Sequence, residues 1–237
     1  MDLRDERGVA LVVALQTVVL VMALGAALVL ITSSEMAIAS NFRAGREAFY
    51  AADAAFERAL ADLGTTPDWD AVVAGNRRSS FIDGAPTGVR RISDGSTIDL
   101  AEIVNMANCQ KPAACTDADL AAQTSERPWG ANNPTWVAYA YGPLADSAGG
   151  GSIRSAFYVV ALVGDDPSEN DGDPARDGLS VGGVPNPGHG VVIVRAESFG
   201  PRSAHRTVEG TVAQTRTLDP RNGGAPGLRV LAWREVR

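Results

Sequence analysis

The chain has 237 residues and a formal net charge of −7 at pH 7. This acidic balance keeps an exposed domain soluble, and it argues against nucleic-acid binding, which relies on Lys and Arg to neutralise phosphates. Beyond the N-terminal helix described next, about 170 residues remain, which is enough for one domain with its own core.

An uncharged, mostly apolar run from Val9 to Ser34 follows a leader of residues 1–8. As a helix this run would be about 39 Å long at 1.5 Å per residue, and the hydrocarbon core of a bilayer is about 30 Å thick. The leader carries Arg4 and Arg7 and no Lys. Positive charge next to a membrane helix favours the cytoplasmic side, so we expect residues 9–34 to span the membrane with a cytoplasmic N-terminus.

Three interpretations of this run differ in what happens to it after synthesis. Ala23-Leu24-Gly25 resembles a signal-peptidase site, but a cut there would follow an unusually long apolar core and leave an apolar new N-terminus. A plain single-pass anchor would stay uncut. In the third interpretation the chain is cut after Gly8, at the junction of leader and apolar run. The run is then kept as both membrane anchor and assembly helix. The residues that follow favour this third interpretation.

The helical pattern continues without proline as far as Leu63, where Gly64 and Pro67 predict its end. Bulky residues recur every seven positions, and small residues recur between them. This pattern predicts a stripe that packs on the globular head, with Ala51 and Ala55 left to face partner helices. The bulky residues of the stripe are Phe42, Phe49, Phe56 and Leu63, and the small ones are Gly45, Ala52 and Ala59.

Four elements stand out in roughly the first quarter of the chain: Arg7-Gly8-Val9 with its apolar run, Glu35-Met36, Asn41-Phe42-Arg43, and the stretch from Ala48 to Ala55. Through these elements, this part of the chain resembles the PilX type of type IV minor pilin. The resemblance implies cleavage by prepilin peptidase after Gly8 and N-methylation of Val9. Val13 stands at the fifth mature position, where major pilins carry Glu. This departure argues against repeated packing along a fibre, although the PilX type often lacks that Glu too.

The resemblance also implies partners and a location. The expected partners are other minor and major pilins, the inner-membrane assembly platform, prepilin peptidase and a tip adhesin. The expected location is the bacterial inner membrane, with a periplasmic head, and then the pilus on the cell surface. The expected division of the chain is a leader at 1–8, a helix at 9–63 (amphipathic from 35) and a head at 64–237.

The sequence pattern of the head predicts a helix followed by strands. Asp99 to Asn108 has helical spacing of apolar residues. Five later stretches are candidate strands, the second dense in β-branched and aromatic residues and the fourth alternating along its length. These stretches are 136–141, 153–163, 190–199, 203–217 and 228–237, the last being a candidate strand or tail. The order predicts an α+β, pilin-like fold in which the long helix covers one face of an antiparallel sheet.

Cys109 and Cys115 are the two cysteines of the chain. Their spacing is not C-x-x-C and no His lies near them, which argues against a zinc or thioredoxin-like site. In an exported head a small disulfide loop is the expected state. So short a loop removes little chain entropy, so the bond would mainly fix local shape.

Acidic and turn residues are concentrated between residues 165 and 178. Ca²⁺ binds six to eight oxygen ligands in flexible loops, which makes this loop a candidate calcium site. The alternative is a solvated acidic loop, and Pro174 stands where an EF-hand would require Gly. The candidate ligands are Asp165, Asp166, Asn170, Asp171, Asp173 and Asp177. Apart from Ca²⁺, no cofactor is expected.

Catalytic motifs are not apparent in the sequence. His189 and His205 lie apart, and the chain has no nucleophile elbow and no phosphate-binding glycine loop. We therefore expect a non-enzymatic protein that takes part in initiating or capping type IV pilus assembly. The alternatives are a type II secretion pseudopilin, which uses the same peptidase and helix, and a membrane-tethered module for binding or adhesion through the acidic loop.

Overall fold

The computed structural model describes residues 3–147, 154–169, 172–178, 180–181, 183–185, 188–216 and 226–236. A single helix, α1, runs from Leu3 to Leu63. The chain forms two compact units, Met1–Ala44 and Gly45–Arg237, so α1 contributes to both. The predicted long N-terminal helix is therefore confirmed, and residues 45–63 belong to the same compact unit as the head.

The first unit contains the apolar run of α1, whose large apolar side chains from Val9 to Ile31 are exposed in the isolated chain. Two threonines in this run bond to the backbone of their own helix. The hydroxyl of Thr17 donates to the carbonyl of Val13 at 2.8 Å, and that of Thr32 donates to the carbonyl of Leu28 at 2.9 Å. Such internal bonds are what a polar side chain needs in hydrocarbon. Within the described part of the chain, one helix is long and apolar enough to cross a membrane, judged by length and composition.

The second unit is built on a five-stranded antiparallel sheet. Its strands, from one edge of the sheet to the other, are β3 (Val137–Pro143), β4 (Tyr158–Asp165), β7 (Val191–Gly200), β8 (Ala204–Arg216) and β9 (Pro226–Val236). The predicted α+β architecture is confirmed, and the last stretch is a strand rather than a tail.

One face of the sheet is covered by residues 45–63 of α1. The helix buries small residues over a wide arc, including Ala48, Ala52 and Ala59. Its bulky core residues are Phe56, Leu60 and Leu63. The sheet contributes apolar side chains that alternate along each strand, such as Val159, Ala161, Val163, Val192, Val194, Val208 and Val212. Small helix residues allow a close approach of helix and sheet.

The predicted helix stripe requires three corrections. Phe42 is 70% exposed, because it precedes the compact unit that begins at Gly45. Phe49 is only partly buried against the core. Ala51 and Ala55 are buried in the head core rather than left free for partner helices. A helix on a sheet buries a broad arc, whereas the predicted stripe assumed the narrow seam of a coiled coil.

The opposite face of the sheet carries a smaller layer. A hairpin of β1 (Val89–Arg91) and β2 (Thr97–Asp99) leads into α3 (Leu100–Cys109), close to the helix predicted there. The side chain of Asp99 caps α3 by accepting a hydrogen bond from the amide of Ala101 at 2.8 Å. A second apolar core fills the space between α3 and strands β3, β4 and β7. The short elements of the described part include α2 (Asp70–Val73), α4 (Asp117–Leu120), β5 (Ser180–Val181) and β6 (Val184–Pro185).

Candidate functional site

The junction predicted for processing lies inside α1. Gly8 and Val9 are both helical, and a Cβ atom placed on Gly8 would meet nothing within 4 Å. Val9 is 64% exposed. Among the described residues, no group packs against the side-chain position of Gly8, and Val9 is open to solvent.

The head end of α1 is tied to the sheet by polar as well as apolar contacts. The buried hydroxyl of Ser198, on β7, donates to the carbonyl of Ala48 at 2.7 Å. The ring of Phe49 meets Trp233 of β9 edge to face, with ring centroids 5.9 Å apart. Exposed Arg206 of β8 lies against Gly45, where a Cβ atom would stand 3.0 Å from its guanidinium group. These contacts hold residues 45–63 on strands that lie far away in sequence.

Cys109 and Cys115 form a disulfide at the C-terminal end of α3. The helix stops at Gln110, which adopts the left-handed conformation with φ of 58° and returns its amide to the carbonyl of Met106. The disulfide therefore joins the last residue of α3 to the turn that leads towards α4.

Three buried carboxylates meet next to the end of β4. Asp165 closes the strand, while Glu169 and Asp177 belong to the loop that follows. Their candidate ligand oxygens all lie within 4.8 Å of one another. Asp177 also accepts a hydrogen bond from the amide of Gly190 at 2.7 Å, and the Nδ1 atom of His189 lies 3.5 Å from it. Carboxylates at this separation repel one another unless a cation or a proton lies among them.

Only part of the predicted ligand set takes part in this cluster. Asp165 and Asp177 come together, whereas Asp166 accepts hydrogen bonds from the amide and hydroxyl of Ser168. Exposed Asp173 likewise accepts from the amide of Ala175 at 3.2 Å. The remaining predicted ligands, Asn170 and Asp171, lie outside the described residues. Asp166 and Asp173 form hydrogen bonds within local turns and lie outside the carboxylate cluster. Their prediction as members of one ligand set is therefore corrected.

Glu169 is the member of the cluster that the sequence analysis missed. The signal was present, because Glu is a regular Ca²⁺ ligand and stands inside the acidic loop. Its place is set by contacts distant in sequence. Asn132 donates to the carbonyls of Pro167 and Glu169 at 2.6 and 3.3 Å, and Gly188 lies so close to Glu169 that a Cβ atom there would overlap its side chain.

Comparison with known proteins assigns the N-terminal segment. Residues 7–57 match the family model described as PilX N-terminal. The N-terminal segment of the chain is similar to that of PilX-type pilins. No curated protein and no solved structure gives a significant match to the chain. The pilin segment includes the exposed apolar run and most of the helix that is buried on the head, so it joins a candidate membrane anchor to the sheet. Pilins of this family are structural proteins, and the segment fits anchoring in the inner membrane.

Proposed function

We propose that this protein is a PilX-like minor pilin that takes part in initiating or capping type IV pilus assembly. The observation that supports the proposal best is the pilin segment at residues 7–57, on a helix that is apolar and exposed at one end and buried on an antiparallel sheet at the other. In this role the protein is non-catalytic, and its partners are other pilins.

The proposal divides the chain by function. Residues 1–8 form a leader that prepilin peptidase removes, and Val9 becomes the methylated N-terminus. Residues 9–34 anchor the chain in the inner membrane with the N-terminus in the cytoplasm, and residues 64–237 form the periplasmic head. The exposure of Val9 and the space that the described residues leave at Gly8 support cleavage at this point. Packing against other pilins, the assembly platform and a tip adhesin would follow, with the head finally displayed on the pilus.

Intact-mass analysis tests the proposal directly. The full chain is expressed with and without a co-expressed prepilin peptidase and extracted from membranes. With the peptidase, we expect a mass loss equal to Met1–Gly8 and a gain of one methyl group. An unchanged leader, or a cut near Ala26, would contradict the pilin proposal and favour a membrane-tethered binding module.

Gly25 offers a matched control for the cleavage site. A Cβ atom meets nothing within 4 Å at Gly8 or at Gly25, so α1 tolerates a side chain at both positions. We expect Gly8→Val to block processing and Gly25→Val to leave it intact. Loss of processing in both variants would mean that the apolar helix, rather than the junction, determines cleavage.

A type II secretion pseudopilin is the second candidate, because it would share the peptidase and the helix. Val13 stands in place of the Glu that major pilins carry. This residue does not distinguish a minor pilin from a secretion pseudopilin. Co-purification with pilus subunits, compared with secretion subunits, from cells that express the full chain would separate the two.

We also propose that the cluster of Asp165, Glu169 and Asp177 binds Ca²⁺ and fixes the loop after β4. The proposal rests on three buried carboxylates whose ligand oxygens lie within 4.8 Å of one another. Backbone carbonyls and water would have to supply further oxygens, since Ca²⁺ takes six to eight.

A further inference from the structure

A cleft of about 1070 Å³ lies between α3 and the sheet face opposite α1. The apolar side chains packed with α3 belong to strands β3, β4 and β7. Among the described residues, no helix covers the corresponding face of β8 and β9. The cleft lies where α3 ends and the uncovered part of the sheet begins, and all of its lining residues belong to the head. It shares no residue with the pilin segment or with the acidic cluster.

One wall of the cleft is apolar and accessible. Met106 on α3 is 45% exposed, and Trp129, on the loop after α4, is 44% exposed. Ile103, Trp136 and Ile193 line the same space and are buried below them. A ligand with an apolar side chain would remove the two exposed side chains from water, which is favourable.

The charged floor of the cleft is internally paired. Glu197 accepts from the Nε of Arg195 at 2.7 Å, and the Nε2 of His205 lies 2.9 Å from its other oxygen. Glu209 lies between the guanidinium groups of Arg195 and Arg234, at 3.7 and 2.6 Å. The floor therefore has little net charge to offer a ligand.

The rim of the cleft is acidic. Carboxylates outnumber guanidinium groups five to three among the lining residues. Arg127 is buried and donates to the carbonyls of Ala107, Leu120 and Pro134. Its guanidinium group is therefore engaged within the head and is not presented to a ligand. Glu102 and Glu126 are exposed and make no ion pair with the rest of the described chain. The charge that remains for a ligand is negative.

We propose that this cleft binds an extended peptide segment of another protein in which a Lys or Arg side chain stands next to an apolar one. Asp99, Glu102, Met106 and Gln110 line the cleft along one side of α3, a wall of about 15 Å. At about 3.3 Å per residue, that wall matches roughly five extended residues. In such a segment the Lys or Arg side chain would pair with the carboxylates of the rim, and the apolar side chain would contact Met106 and Trp129. The inference does not depend on the pilin proposal.

Fluorescence anisotropy with defined peptides tests the inference on the full chain in non-ionic micelles. The probe is an eight-residue peptide of Lys, Leu and Ser with a neutral dye, and binding to empty micelles is subtracted. Two matched peptides replace Lys by Glu, or Leu by Ser. We expect the first peptide to bind at least tenfold more tightly than either control, and its binding to weaken with salt. Equal binding of all three peptides, or none, would overturn the inference.

Cleft variants locate the binding. We expect Glu102→Gln with Glu126→Gln to weaken it about fivefold at low salt, because exposed charge pairs are individually weak. Met106→Ser with Trp129→Ser should weaken it at least tenfold. Glu57→Gln and Val230→Ser change exposed residues elsewhere and should alter affinity less than twofold. Binding that is unchanged in both cleft variants lies outside the cleft and contradicts the inference.

Discussion

The ring of Phe56 lies directly over Gly210. A Cβ atom at Gly210 would stand 2.7 Å from the Cζ atom of that ring and 2.8 Å from the carbonyl oxygen of Ala232. Phe56 is 1% exposed, and Gly210 pairs with Val194 of β7 on one side and with Trp233 of β9 on the other. Because Gly210 of β8 has no side chain, the sheet leaves a space at this position, and the ring of Phe56 fills it.

Truncating the ring should destabilise the head strongly. We expect Phe56→Ala to lower the free energy of unfolding by about 3–5 kcal/mol, because it removes a fully buried ring and leaves a cavity. Chemical unfolding of the full chain in non-ionic micelles, followed by tryptophan fluorescence, measures the change. Phe42→Ala is the matched control: Phe42 is 70% exposed, so its truncation should change stability by less than about 0.5 kcal/mol.

Filling the space from the other side should also destabilise the head. We expect Gly210→Ala to cost about 1–3 kcal/mol, since the new methyl group would overlap the ring. Combined with Phe56→Leu, the same substitution should cost less than the sum of the single changes, because the smaller side chain relieves part of the overlap. Fully additive effects would show that Phe56 and Gly210 do not compete for one space.

The sequence predicted those parts of the fold that rest on local periodicity. Strands β4 and β7 are dense in β-branched residues, and α3 begins at the capping residue Asp99. The helix stripe was only partly predicted, because Ala51 and Ala55 are buried by the flat surface of the sheet. A seven-residue repeat cannot reveal how wide a face the opposing layer will cover.

The candidate sites depend on contacts that spacing does not encode. Asp165 and Asp177 meet because the loop between them folds back, and Glu169 joins them through contacts with Asn132 and Gly188. The cleft exists because α3 packs on β3, β4 and β7 and stops short of β8 and β9. Neither arrangement follows from residue types at fixed intervals along one segment.

Glu197 should make the stability of the head depend on pH. Burial raises the pKa of this carboxyl, but the hydrogen bond with His205 and the charge of Arg195 outweigh burial, so the pKa lies below its ordinary value. Glu209, on β8, shares Arg195 and belongs to the same group of charges. A carboxyl with a lowered pKa stabilises the fold above its unfolded pKa of about 4.3, and this contribution is lost as pH falls through the folded pKa.

A pH series of unfolding experiments checks this expectation. Glu197→Gln should be less stable than the natural chain near neutral pH, and the difference should shrink as pH falls below about 4. Glu57→Gln, on the exposed face of α1, controls for the change in net charge. If the difference between Glu197→Gln and the natural chain stays constant across the series, Glu197 does not titrate with folding.

The disulfide should contribute modestly and locally. For a loop of so few residues, chain entropy predicts that Cys109→Ser with Cys115→Ser lowers stability by about 2 kcal/mol. Hydrogen exchange should show faster opening of the last turn of α3, next to Gln110, while strands β4 and β7 keep their protection. A global loss of protection would mean that the disulfide supports the whole head rather than the end of α3.

The last prediction concerns the three carboxylates after β4. We expect Ca²⁺ at about millimolar concentration to raise the melting temperature of the full chain, because a cation that binds only the folded form stabilises it. Asp165→Asn and Asp177→Asn should each reduce the shift, whereas Asp166→Asn and Asp173→Asn, in local turns, should not. Mg²⁺ should raise the melting temperature less than Ca²⁺ does, because it requires tighter octahedral geometry.

The quantity compared is the change in melting temperature on adding Ca²⁺, so a variant that is less stable at the start still reports binding. Equal melting temperatures in excess chelator and in excess Ca²⁺ would mean that the carboxylates keep their places by hydrogen bonds and protons alone.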